Sequence, residues 1–222
     1  LRDDDIVNHL AHLFLAQSGG AAGSQPADRS ISGGLRARRS TELLIGNLSG
    51  DFVKGVLGDD IPPAIRAGIV MHRRIDAYTD AHPQVGEFRR LIAAEQGHYA
   101  RVIADIFIDH FLACRFDEYA GEPLEAFLVR TFAALDPHAR TFPGMLRVVY
   151  PRMRDGEWLQ SYRTLDGIRT ALTNISWRFS RRPKLGPATH LLVDARPELE
   201  RWFEQFFPDV VEHAKSLLGA CE

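Results

Sequence analysis

Along most of this chain apolar residues return every third or fourth position, and no stretch sustains the two-residue alternation of a half-buried strand. The periodicity predicts helices at about 6–18, 41–55, 62–80, 83–115, 122–134, 141–154, 157–179 and 195–219, with Gly97 as a candidate break in the fourth. Pro62-Pro63 supplies a start signal for the third helix, and Asp3 to Asp5 an acidic cap for the first. Two stripes read as core: Trp158, Tyr162, Leu165, Ile168, Leu172, Ile175 and Phe179, then Leu199, Trp202, Phe206 and Val210. Pro208 is expected to kink or restart the last helix. Leu191 to Val193 is too short to assign. Residues 18–40, rich in Gly, Ser, Ala and Arg, read as a flexible loop. The expectation is an all-α fold, a helical bundle forming a single domain over 1–222.

Within that pattern some polar residues stand where apolar ones are due. The run from Val102 to Ala113 carries Asp105 and Asp109 four positions apart, on one face of an otherwise apolar helix. A carboxylate taken out of water costs several kcal/mol, roughly, unless a cation, a metal or strong donors compensate it. The stripe either faces solvent or marks a site. His110 points about 100° away, where a buried core histidine is the alternative to a ligand. On the 62–80 helix, Ile65, Ile69, His72, Asp76 and Asp80 share a side, so the core-facing stripe carries His72 and Asp76 inward. That pair suits a shared cation or a mutual hydrogen bond. In Ile45 to Gly55, Asp51 lies between Gly50 and Phe52; Gly46 and Gly50 permit close backbone approach or tight helix packing. Neither the dinucleotide nor the P-loop glycine pattern is present.

Carboxylate and imidazole donors without thiolates suit Mn²⁺ or Mg²⁺ better than structural zinc, and the chemistry such a centre supports is hydrolytic. Composition narrows the field further. A chain of 222 residues with 45% hydrophobic and 25% charged residues can bury one core. A net charge of −2 argues against a general nucleic-acid binder. No hydrophobic run reaches a bilayer-spanning length and no secretory signal pattern is visible, so a cytoplasmic protein is expected. Cys114 and Cys221 support neither a disulfide framework nor a thiolate metal site. Arg73-Arg74, Arg89-Arg90 and Arg178 with Arg181-Arg182-Pro183-Lys184 are either solvated faces or a patch for an acidic partner or a phosphate.

Four blocks carry a resemblance: Asn8 to Leu13, Gly46 to Gly55, His72 to Asp80 and Asp105 to Leu112. In order and spacing they resemble the bacterial acyl carrier protein phosphodiesterase family, as do Arg181-Arg182-Pro183 and the aromatic last helix. The resemblance implies an all-helical relative of the His-Asp metal phosphohydrolases. It further implies hydrolysis of the phosphodiester joining 4'-phosphopantetheine to a serine of holo acyl carrier protein, with Mn²⁺ or another divalent ion. By resemblance Asp51 leads as the essential metal-site residue, with His72, Asp76, Asp109 and His110 in the metal or water-activating shell. Asp105, Asp80 and His12 would stand behind them. Because acyl carrier proteins are small and acidic, the arginines gain a docking role.

Two departures stand out. The 18–40 segment is longer than the family's, and His9 and Phe14 replace the usual Phe and His of the first block. The alternatives are a phosphohydrolase acting on a nucleotide or another small phosphodiester, and a non-enzymatic helical module that binds an acidic partner.

Overall fold

The computed structural model describes residues 8–19 and 31–220. The described residues form helices joined by short turns, with no strand among them, and one continuous apolar core connects them. Asp3 to Asp5, residues 20–30 of the expected loop, and Cys221 lie outside the described residues.

At the centre runs α5 (Ala100–Cys114), in which every residue from Val102 to Ala113 is buried. Around it pack α1 (His9–Leu15), α4 (Pro83–Gln96), α10 (Leu165–Ser176) and α12 (Arg196–Gly219). A helix so apolar all round has no solvent face, so its polar residues are carried inside with it. Each fully buried Ile, Leu or Phe there contributes roughly 1.5–3 kcal/mol, which sets the scale against which two buried aspartates are tolerated.

The most extensive helix pair is α2 (Ile31–Ser49) with α3 (Pro63–Ala81). Its closeness depends on two glycines. A Cβ on Gly46 would fall 2.0 Å from the Ile65 carbonyl oxygen, and one on Gly68 would fall 2.0 Å from that of Leu43. The same approach brings the end of α2 against His72, because a Cβ on Gly50 would lie 2.1 Å from Cγ of the His72 ring.

The structure departs from the sequence pattern at several boundaries. Residues 31–40, expected as loop, form the first half of α2. Leu35-Arg36-Ala37-Arg38-Arg39 are strong helix formers, and Arg38 pairs with Glu42 one turn on at 3.0 Å. The 83–115 segment divides where Gly97 adopts φ +54°, a 3₁₀ turn over Gly97–Tyr99 separating α4 from α5. The 157–179 segment divides into α9 (Trp158–Ser161) and α10, where the Thr164 hydroxyl accepts the Gly167 N–H at 3.0 Å and caps the second helix. Leu191 to Val193 belongs to a short helix, α11 (His190–Asp194). The last helix does not restart at Pro208 but runs unbroken to Gly219. Buried Phe203, Phe206 and Phe207 before the proline and Val210, Val211 and Ala214 after it hold both halves on one core.

Candidate metal centre

Three side chains from two helices converge at the edge of the core. His12 on α1 and His72 on α3 stack face to face, ring centroids 3.8 Å apart at 19°. Asp76, one turn beyond His72, lies across both edges: its Oδ1 is 3.0 Å from His12 Nε2 and its Oδ2 is 3.2 Å from His72 Nε2. These three residues each offer a ligand atom within 4.8 Å of the others. Asn47, fully buried in the run Leu43 to Leu48, accepts from His12 Nδ1 at 3.1 Å and so turns Nε2 toward the cluster.

Asp51 joins from the 3₁₀ turn Gly50–Phe52 that follows α2. Its Oδ1 lies 3.3 Å from His72 Nε2. Its Oδ2 is buried without a hydrogen-bond partner, 4.0 Å from Nδ1 of His9. His9 is itself 1% exposed, stacked on Phe52 and edge-on to Trp158. A carboxylate oxygen held from water with no donor among the described residues suits a cation.

The charges follow from this packing. Burial disfavours an imidazolium at His72, but hydrogen bonds to Asp51 and Asp76 outweigh it and raise its pKa to about 10. For Asp76 and Asp51 burial is again opposed and outweighed, by His12 and His72 for the first and chiefly by His72 for the second, and both carboxyls sit below the usual carboxylate range. Burial dominates at His9, lowering it to about 3. Without an ion, His72 therefore holds a proton between two carboxylates, in the place a divalent cation would take.

The remaining candidates stand outside the His12, His72 and Asp76 group. Asp109, 0% exposed, uses both oxygens on the N-terminus of α1, accepting the Leu10 N–H at 3.1 Å and the Ala11 N–H at 2.9 Å. Burial pushes its pKa well up, with those two N–H groups opposing. His110 faces away from the cluster: its Nδ1 is 2.7 Å from the Tyr162 carbonyl oxygen, with Cys114 Sγ beside the ring. It is the hydrogen-bonded core histidine of the two possibilities its position left open. Asp80 pairs with Arg89 and Arg101 rather than with a histidine. Asp105, raised to about 7 by burial against the pull of Arg89, lines a cavity of about 190 Å³ that also reaches Asp51 and Asp76. Sequence reasoning gave His12 a supporting place and passed over Asn47 and the contact of His9 with Asp51. The signal for Asn47 was a single amide inside Leu-Leu-Ile-Gly-Asn-Leu.

A family model described as acyl carrier protein phosphodiesterase matches residues 35–210. The chain belongs to the acyl carrier protein phosphodiesterase family. Among curated members of that family, the protein of Serratia proteamaculans is 31% identical over 94% of this chain and 98% of its own length. The Yersinia pestis protein is 32% identical over the same shares, and one from Escherichia coli O6:H1 is 31% identical over 94% and 97%. Each bears the name acyl carrier protein phosphodiesterase. No solved structure matches. The family match spans Asn47, Asp51, His72 and Asp76, while His9 and His12 lie before it.

Proposed function

We propose that this protein hydrolyses the phosphodiester between 4'-phosphopantetheine and the serine of holo acyl carrier protein, in the cytoplasm, with a divalent ion. The observation that carries the reading is the His12, His72 and Asp76 group with the partnerless Asp51 oxygen beside it, in a chain of this family. Two imidazoles and two carboxylates without a thiolate suit Mn²⁺, or Mg²⁺, and these four residues would hold it. Such an ion supplies Lewis acidity, making water a stronger nucleophile near neutral pH and stabilising charge on a phosphoryl oxygen.

The chain's own residues do the rest. Asn47 orients His12, Asp109 anchors α1 so that His12 meets His72, and the stacked rings present their Nε2 atoms to Asp76. In the reaction the water oxygen bonds to phosphorus, the bond from phosphorus to the serine oxygen breaks, and that oxygen takes up a proton. Apo carrier protein and free 4'-phosphopantetheine result. The acidic substrate would dock on Arg178, Arg181, Arg182 and Lys184, which are exposed and in no ion pair among the described residues.

Incubating holo acyl carrier protein with the purified protein and Mn²⁺ tests the reading. Mass spectrometry should record loss of the phosphopantetheine arm, and none after chelation. Turnover of small phosphodiesters but not of holo carrier protein would replace it with the small-substrate alternative.

A further inference from the structure

Beside the cluster, the cavity of about 190 Å³ is lined by basic side chains as well as by carboxylates. Asp51, Asp76, Asp80 and Asp105 line it, and so do Arg89 of α4 and Arg101 of α5. The two guanidinium groups are held together by one carboxylate. Asp80 Oδ1 takes Arg89 Nη2 at 2.8 Å and Asp80 Oδ2 takes Arg101 Nη2 at 2.6 Å. Asp80 follows Asp76 by one helical turn on α3, about 5–6 Å between their Cβ atoms, so the bracing carboxylate stands next to the proposed ion ligand.

Of the two arginines, Arg89 is the embedded one, its side chain 20% exposed against 48% for Arg101. Asp105 stands near it at 3.6 Å, too far for a hydrogen bond. Its Nε–H is buried and has no acceptor among the described residues. A fixed, planar guanidinium that lines a small polar cavity and keeps one donor unspent suits an oxyanion.

We propose that Arg89, braced by Asp80, is the anion-binding residue of this cavity and that its ligand is a phosphoryl group. This rests on the phosphodiester reading and adds to it the residue that positions the substrate phosphate. The Arg89 guanidinium would take a non-bridging oxygen, while His12, His72 and Asp76 would hold the ion. After cleavage it retains the phosphomonoester, so product and inorganic phosphate compete with substrate at the same place.

The experiment titrates inorganic phosphate into the Mn²⁺-supplemented protein by calorimetry and measures Mn²⁺ affinity separately by electron paramagnetic resonance. Arg89→Lys is expected to weaken phosphate at least tenfold with Mn²⁺ affinity within twofold of wild type, and to raise KM for holo carrier protein more than it lowers kcat. Asp80→Asn, which unbraces both arginines, should weaken phosphate about threefold, and Arg101→Lys less than twofold. Unchanged phosphate affinity in Arg89→Lys overturns the proposal, as does a parallel loss of Mn²⁺. Should Arg89→Lys fail to fold, the Asp80→Asn titration decides: wild-type phosphate affinity there overturns it. Wild type that binds phosphate through Arg89 yet neither binds Mn²⁺ nor cleaves holo carrier protein would keep Arg89 and remove the proposed function.

Discussion

Asp109 accepts the backbone N–H of Ala11 at 2.9 Å across 98 residues of sequence. With the Leu10 N–H on its other oxygen, this buried carboxylate ties the start of α1 to the middle of α5. His12 follows one residue later, so the anchor sets the height at which its ring meets His72. Asp109→Ala should strip two buried donors of their acceptor, costing about 1–3 kcal/mol each. The melting temperature of the metal-free protein is expected to fall by roughly 5 °C or more. A residue acting only as a metal ligand would leave that temperature near wild type and lower only the increment gained with Mn²⁺.

Gly50→Ala should injure the centre from outside it. The added Cβ would lie 2.1 Å from Cγ of His72, so the ring or the turn carrying Asp51 must move. Mn²⁺ affinity is expected to drop at least tenfold, with helicity by circular dichroism unchanged. Wild-type affinity would show that the turn yields freely.

Metal binding should strengthen as pH rises. In the metal-free protein His72 holds its proton up to about 10, and an ion must displace it. Apparent Mn²⁺ affinity is expected to climb about tenfold per pH unit across the accessible range below 10, with close to one proton released per ion, measured in buffers of different ionisation enthalpy. The same shift acts on stability with the opposite slope. A histidine with a raised folded pKa stabilises fully below about 6.5, and that contribution is lost as pH rises through about 10. Thermal melts without metal should therefore fall over that window, and Mn²⁺ should offset the decline.

Asp105 gives a different pH signature. Burial raises its pKa to about 7, so the folded protein binds that proton more tightly than the unfolded chain. Stability is accordingly lost between about pH 4 and pH 7, by up to roughly 4 kcal/mol. Asp105→Asn should flatten this part of the unfolding profile in urea. A slope unaltered by the substitution would mean that Asp105 ionises normally beside Arg89.

The basic stretch after α10 should act on capture. Arg182 lies over the exposed Trp177 ring at 4.8 Å, with φ at +45°, so the loop presents its cations outward. Arg181→Glu with Arg182→Glu is expected to raise KM for holo carrier protein about tenfold at low salt, less at high salt, and to leave Mn²⁺ affinity unchanged. Equal losses on a small phosphodiester would remove the docking role.

The apolar period of the chain was enough to read an all-α fold, because helical periodicity is a local property that survives without knowledge of neighbours. It also singled out the polar residues that interrupt core-facing stripes, and His72 and Asp76 do meet at one place with Asp51. Period alone could not separate ligands from anchors. Asp105 and Asp109 share a face of α5, yet one lines a cavity with Arg89 and the other holds the start of α1. His12 and Asn47 became central, and His110 turned to the Tyr162 carbonyl, through helix packing. Those outcomes depend on contacts between segments 35 to 99 residues apart, and the approach of Asp51 to His72 depends further on how closely Gly46, Gly50 and Gly68 let α2 and its turn meet α3. A linear pattern records which side of its own helix a residue occupies; which neighbour that side meets is a property of the packed tertiary structure.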